Sequence, residues 1–429
     1  MITSEKKPTE AFVWVWLPGE TVPVVAGRLS GAGDRLLFNY GRSYLARNNA
    51  IALYEPELPL QNGVLPLTPG LKMPNCIRDA APDAWGRRVI INHKFGKSSK
   101  DIVTTELDEF TYLLESGSDR IGALDFQLSA DRYEAREASA ASLEELQSAT
   151  ALVEKGVPLT PDLEAALLHG SSIGGARPKA MVVSNNKKFV AKFSSQNDLY
   201  NVVKAEFVAM WLAEKAGIAT ASVRLERAAG KDVILIERFD RQRTGDGWCR
   251  RAMVSALTLL GLDEMMARYA SYEDLATVIR HRFVSPKPAL KELYARMVFN
   301  VLCGNTDDHA RNHAAFWNGS ELSLTPAYDI CPQGRSGGEA TQAMLIMGEQ
   351  RSSEISLCLK TAPLFLLNSD EATQLVGNQI KTIKKFWTEV CDAAALTEVD
   401  RNFMWRRQFL NAFAFVDAPD ALAELVGQL

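Results

Sequence analysis

Residues 304–317 read GNTDDHARNHAAFW, and the fold turns on how that stretch is taken. It crowds two aspartates, two histidines, an arginine and two asparagines between the apolar run YARMVFNVLC (294–303) and the aromatic pair Phe316 and Trp317. Polar groups gathered between apolar segments are costly unless something pairs with them. Asp307 and Asn312 stand five positions apart, the D-x-x-x-x-N spacing of a kinase catalytic loop. There the aspartate orients the attacking hydroxyl and accepts its proton, while the asparagine offers a neutral oxygen to magnesium. One short loop must set a base beside the nucleophile and an oxygen beside the metal.

The flanking sequence supplies further parts in kinase order. Downstream, Asp329 in LTPAYDIC (324–331) lies 22 residues after Asp307 and fits a second magnesium-binding carboxylate. Its tripeptide is Asp329-Ile330-Cys331, so the likeness to Asp-Phe-Gly is one of role. Upstream, FVAKF (189–193) puts Lys192 on a strand-like run, where a kinase carries the lysine that holds the nucleotide phosphates. Glu206, in the helix-patterned VVKAEFVAMWLAEKAG (202–217), is the candidate to fix that lysine. SSIGGARPK (171–179) is glycine-rich; glycines let backbone N–H groups approach phosphate, and Arg177 and Lys179 can balance its charge. The loop matches neither G-x-x-x-x-G-K-[ST] nor G-x-G-x-x-G and says little alone. In VILIERFDR (233–241) the backbone near Glu237 and Phe239 suits a hinge lying against adenine.

Composition agrees with a globular protein. The 429 residues suffice for two or three structural units. With 48 basic against 52 acidic residues the net charge is −4, which disfavours general nucleic-acid binding. Six scattered cysteines without CxxC spacing are expected to be reduced and mostly buried. The polar start MITSEKKPTE has no secretory pattern and no run is long enough to span a bilayer, so a cytoplasmic protein without membrane attachment is expected. Residues 11–60 read as strands and turns, and 81–95 as a helix start with Pro82 in its first turn. Residues 131–151 read as a helix or a connector, and nearly everything after 250 reads as helix, RAMVSALTLLG included.

At this point SSIGGARPK, FVAKF, IERFDR, GNTDDHARN and PAYDIC together resemble the signature set of HipA-type serine/threonine kinases, the toxins of HipA–HipB toxin–antitoxin pairs. PDAWGRR (82–88) resembles a recurring segment of that family's N-terminal part. The resemblance implies an α+β, protein-kinase-like two-lobed fold: a β-rich N-terminal subdomain (1–130), a kinase N-lobe (131–245) and a helical C-lobe (246–429). It implies ATP and magnesium as cofactors, with Asp307 as catalytic base and Asn312 and Asp329 as magnesium ligands. Lys192 would hold phosphates, supported by Glu206. Gly174, Gly175, Ala176, Arg177 and Lys179 would form the phosphate loop. Glu237 and Phe239 would touch adenine, with His309 and Tyr328 near the nucleotide.

Ser172 falls where the family autophosphorylates in trans, a modification tied to an ejected loop and an inactive enzyme; Ser171 beside it leaves the acceptor open by one position. A dianion there would repel the nucleotide phosphates. The implied substrates are proteins, aminoacyl-tRNA synthetases being the known class, and the implied partner is a small HipB-like DNA-binding antitoxin, through which alone nucleic acid would be met. Two departures stand out: Arg311 where Lys is common, and Asp308 where Gly is common. Asp308 is expected to raise the pKa of Asp307 by like-charge repulsion.

Simpler readings compete. Singly, Asp307, Asn312 and Asp329 would be caps and turn formers. His309 and His313, four apart, lack a third ligand for zinc. Arg87 and Arg88 read as a solvated face, and Trp85, Trp211, Phe316 and Trp317 as core. Two other functions fit the same scaffold: a catalytically silent partner of an antitoxin, and a small-molecule kinase.

Overall fold

A computed structural model describes residues 8–96, 107–136, 141–195, 198–334 and 337–427. Most of the MITSEKKPTE start, and residues 137–140 of the Ala/Glu/Ser-rich stretch, lie outside the described residues.

The N-terminal part is built on an antiparallel sheet of β1 (Glu10–Val15), β2 (Val24–Ala32), β3 (Arg35–Tyr40) and β4 (Leu124–Gln127), in the order β3-β2-β1-β4. A helix, Ala84–Phe95, leaves this part and reaches across to the next unit. That unit is a second antiparallel sheet of β5 (Lys179–Ser184), β6 (Lys187–Phe193), β7 (Val223–Ala228) and β8 (Lys231–Glu237), in the order β5-β6-β8-β7. The two-residue period of a strand sorts the side chains of β6. Phe189, Ala191 and Phe193 enter an apolar cluster with Trp85, Leu146 and Leu167, while Lys192 alternates to the opposite face. The helix Val202–Lys215 packs beside this sheet and carries Glu206.

A hairpin of β9 (Arg241–Thr244) and β10 (Gly247–Arg250) leads into the large lobe. Here the reading of nearly every segment as helix fails in part. RAMVSALTLLG is not one helix: it splits into β11 (Ala252–Ser255) and a single turn, Ala256–Leu259, capped by Ser255. β11 pairs with β12 (Ala314–Trp317), which pairs with β13 (Leu322–Leu324). Cross-strand pairing explains the outcome, since a short apolar run fits strand and helix equally well. The helices are Tyr272–Arg282, Pro286–Cys303, Ile355–Thr361 and Ser369–Ala393, with shorter ones after them. They share the larger of two cores with the N-terminal sheet and with Val202–Lys215.

The result is a two-lobed, kinase-like α+β fold, a small β-rich lobe over a large helical one. Pro82 lies ahead of the helix it was expected to start; the helix begins at Ala84 with Asp83 at the cap position. Arg87 is not simply solvated: it pairs with Glu109 at 2.6 Å. Stretch 141–151 resolves into the helix Leu143–Glu154, opened by a Ser142–Glu145 capping box. All six cysteines are free and buried. Among the described residues, no helix is long and apolar enough to cross a membrane.

Candidate active site

The helix Pro286–Cys303 ends because Gly304 takes a left-handed φ of 72°. A Cβ there would lie 2.7 Å from the Gln408 carbonyl, so glycine alone fits. The chain then turns into the loop 305–313. Asp307 points out, exposed. Partial burial raises its pKa; His309 opposes that, and Asp329 and Asp308 add to it. Asn312, in a 3-10 turn, donates its amide N–H to the Asp307 carbonyl at 3.2 Å. This leaves its amide oxygen without a hydrogen bond among the described residues. Asp308 turns the opposite way, into the core. It accepts from Tyr272 and, at 2.9 Å, from His313 Nε2, so the doublet of aspartates is one exposed carboxylate and one buried anchor. The expected repulsion from Asp308 is present but is the smallest of the influences on Asp307.

Lys192 is 8% exposed and joins the lobes. Its Nζ lies 2.6 Å from Glu206 Oε1 and also meets Asp329 Oδ1. Against the pull of burial, Lys192 holds the Asp329 carboxyl well below the usual carboxylate range. Asp329 takes φ 60°, an uncommon left-handed value for aspartate that suits a residue held in place by its surroundings. Directly opposite Lys192 in the β5–β6 register stands Lys179. Burial, and then the neighbouring Lys192, lower its pKa to about 8. Its Nζ donates to the Gly174 carbonyl.

The loop 171–178 lies over these lysines. Gly175 has φ 103° and its N–H donates to Asp83 at 2.7 Å. Ala176 is exposed and Gly174 half-buried. Arg177 pairs with Asp198, a partner that sequence reading missed. Ser171 is fully buried, donating to the Leu168 carbonyl at 2.6 Å. Ser172 is 1% exposed, and its hydroxyl has no hydrogen-bond partner among the described residues.

Phe239 packs against Tyr328 at 5.7 Å and Phe316 at 5.9 Å. Tyr328 donates to the Arg311 carbonyl at 2.8 Å. His309 sits half-buried in the loop. The side chain of Glu237 stays out of the cluster, drawn to Lys187 at 2.7 Å. Asp307, Asn312, Asp329, Lys192, Glu206, Lys179 and the glycine-rich loop therefore line one region between the lobes. Among the described residues no three His, Cys, Asp or Glu side chains form a metal cluster. Magnesium does not need one, because it binds through one or two protein oxygens plus nucleotide phosphates. The oxygens of Asn312 and Asp329 suit that mode.

Comparison with known proteins bears on the same region. Residues 171–411 match the HipA-like C-terminal domain, and residues 14–127 match the HipA N-terminal domain. The chain belongs to the HipA family. Among curated relatives, it is 25% identical over 186 residues to the serine/threonine-protein kinase toxin HipA of Shewanella oneidensis, covering 37% of this chain and 42% of that protein. It is 26% identical over 175 residues to the putative kinase Y4mE of Sinorhizobium fredii, covering 37% of this chain and 41% of that protein. These matches thus span about two-fifths of each relative's length. In fold, this HipA-family chain is similar to a chain of the Shewanella oneidensis HipA, HipB and operator DNA complex. The TM-score is 0.66 at 18% identity, over 93% of this chain and 95% of that one.

Proposed function

We propose that the chain is an ATP-dependent serine/threonine protein kinase of HipA type, divided at about residues 130 and 245 into N-terminal subdomain, N-lobe and C-lobe. One observation carries the reading: Lys192 of the small lobe meets both Glu206 and Asp329, beside the exposed Asp307. Lys179, Lys192 and the N–H groups of Gly174, Ala176 and Arg177 bind the nucleotide phosphates, with Gly175 of the same loop held by Asp83. Phe239 and the backbone at Glu237 flank the adenine, with Tyr328 and His309 at its edge. Asn312 and Asp329 would hold magnesium, which when bound offsets phosphate charge. Asp307 accepts the proton of a protein hydroxyl, whose oxygen bonds to the γ-phosphorus while the bond to the β–γ bridging oxygen breaks and ADP departs.

The N-terminal HipA domain and the fold shared with a HipA–HipB complex support a HipB-like antitoxin as partner. A translation protein such as an aminoacyl-tRNA synthetase is the proposed target. Ser172 is the proposed self-modified residue, since the Ser171 hydroxyl is already committed to Leu168. Its burial requires that the loop leave its seat before modification. The test is magnesium-dependent transfer of labelled phosphate from ATP to protein, in wild type against Asp307→Gln. Equal labelling in both overturns the assignment.

A further inference from the structure

The helix Ala84–Phe95 starts on Asp83, a residue type that ordinarily caps its own helix by accepting from the second or third N–H. Asp83 has the extended backbone of a cap but makes no side-chain cap bond. The helix thereby forgoes the stabilisation that a capping side chain ordinarily gives. The carboxylate is engaged elsewhere. Oδ2 accepts from the Gly175 N–H at 2.7 Å, in the glycine-rich loop of the small lobe. Oδ1 lies 2.6 Å from Arg311 Nη1, in the loop that carries Asp307 and Asn312. One side chain, borne by neither lobe's own elements, therefore ties the two loops that face the nucleotide.

The turn around it is fitted to the same loop. Trp85 N–H donates to the Gly175 carbonyl at 3.3 Å, and Trp85 Nε1 to the Lys179 carbonyl at 2.9 Å. Gly86 lies so close that a Cβ would stand 1.7 Å from the Ser171 carbonyl oxygen. The start, middle and end of 171–179 thus all rest on residues 83–86. A loop rich in glycine loses much conformational freedom on ordering, and a ligand must meet that cost if the protein has not.

We propose that Asp83 is a positioning residue for the nucleotide phosphates: it seats the glycine-rich loop on Arg311 before the nucleotide arrives. The proposal rests on the nucleotide-binding reading above. It gives the N-terminal subdomain a part in binding that a passive brace would not have. Asp83 touches neither the transferred phosphate nor the accepting hydroxyl in that reading, so its loss falls on nucleotide affinity and KM rather than on kcat.

The test uses the full chain with Asp83→Ala, Asp83→Asn and Gly86→Ala. Amide hydrogen exchange over 171–179 is measured without nucleotide, ADP affinity by calorimetry, and KM and kcat for ATP in phosphate transfer to added casein on a Ser172→Ala background, so that modification of the loop itself does not enter the readout. Asp83→Ala is expected to speed exchange at 173–176 and raise both Kd for ADP and KM about tenfold, with kcat within about threefold. Asp83→Asn should fall between, because its amide oxygen still accepts from Gly175 but loses the ionic partner. Gly86→Ala favours the helix by itself, yet should release the loop by collision with Ser171; it decides the matter if Asp83→Ala does not fold. Unchanged exchange in the folded variants overturns the proposal. So does tighter ADP binding by Asp83→Ala, which would make the carboxylate an occupant of the phosphate position. If wild type binds no nucleotide, the functional reading fails, while the exchange measurements still decide whether Asp83 seats the loop.

Discussion

Two regions of this chain bury charge, and they do it in opposite ways. Where the N-terminal sheet meets the segment after β8, Asp119, Arg120, Asp125, Arg238, Asp240 and Arg241 are all nearly inaccessible. Arg238 donates to both Asp240 oxygens, at 2.9 and 2.6 Å, and to the Asp119 carbonyl at 2.9 Å. Arg241 reaches Asp119 and Asp240 at 2.9 Å each, and the Gly122 carbonyl at 2.8 Å. Arg120 meets Asp125 at 2.7 Å. Each cation there has a carboxylate and a backbone carbonyl. The cleft between the lobes is left open by comparison. Lys179 is buried with no carboxylate at ion-pair distance among the described residues, Asn312 keeps an uncommitted oxygen, and Asp307 faces solvent. A charge network closed on itself braces a joint; one left unbalanced suits a ligand that completes it. The closed network also holds Phe239, which lies between Arg238 and Asp240 in the chain and packs against Tyr328.

Breaking each region should give different losses. The largest effect is expected from Asp307→Gln, which should lower phosphate transfer by about 10²–10⁴-fold and leave the urea midpoint where it was, as the side chain is exposed. Asp119→Ala should do the reverse. It removes one of the two carboxylates that balance Arg238 and Arg241 in the interior, leaving both to share Asp240, and should cost about 3–5 kcal/mol of stability by chemical denaturation. Equal stability of that variant and wild type would remove the contrast between the two regions. Lys179→Met should weaken ADP binding by about tenfold yet leave stability unchanged or raised, since a buried cation without a counterion is replaced by an apolar chain.

The smallest effect is a pH dependence. Lys179 ordinarily titrates near 10.5 and here near 8. Its folded-state pKa is depressed, so between about pH 8 and 10.5 the unfolded chain binds the extra proton. The stability penalty of this group is therefore full below pH 8 and fades as pH rises through that window. ADP affinity should move the other way, falling as Lys179 loses charge above pH 8. Lys179→Met should lack that step, and an identical step in the variant would assign it to another group.

Much of the candidate site was legible beforehand because its parts are local. Asp307 and Asn312 share one loop, Lys192 sits at a fixed parity on β6, and Glu206 lies on a helix whose apolar spacing is plain. The Glu237 side chain goes to Lys187, a pairing the sequence did not signal. β11 was missed because four residues, AMVS, are too few to reveal a period; their pairing with residues 314–317 decides the state. Asp83 was missed for a related reason. Asp before a helix reads as a cap, and nothing nearby signals that Gly175 and Arg311, 92 and 228 positions away, would take its oxygens.

By itself, then, the sequence determined the types and order of the chemical groups, the family to which they belong, and the alternation that turns Lys192 away from the core. Those properties depend on covalent spacing and backbone period. Only the tertiary structure decided which charges would be closed upon one another and which left open, and that Asp83 would serve a distant loop instead of its own helix. Pairing of buried charges depends on distances between segments far apart in the chain, and these exist only once both lobes and the N-terminal subdomain have packed together.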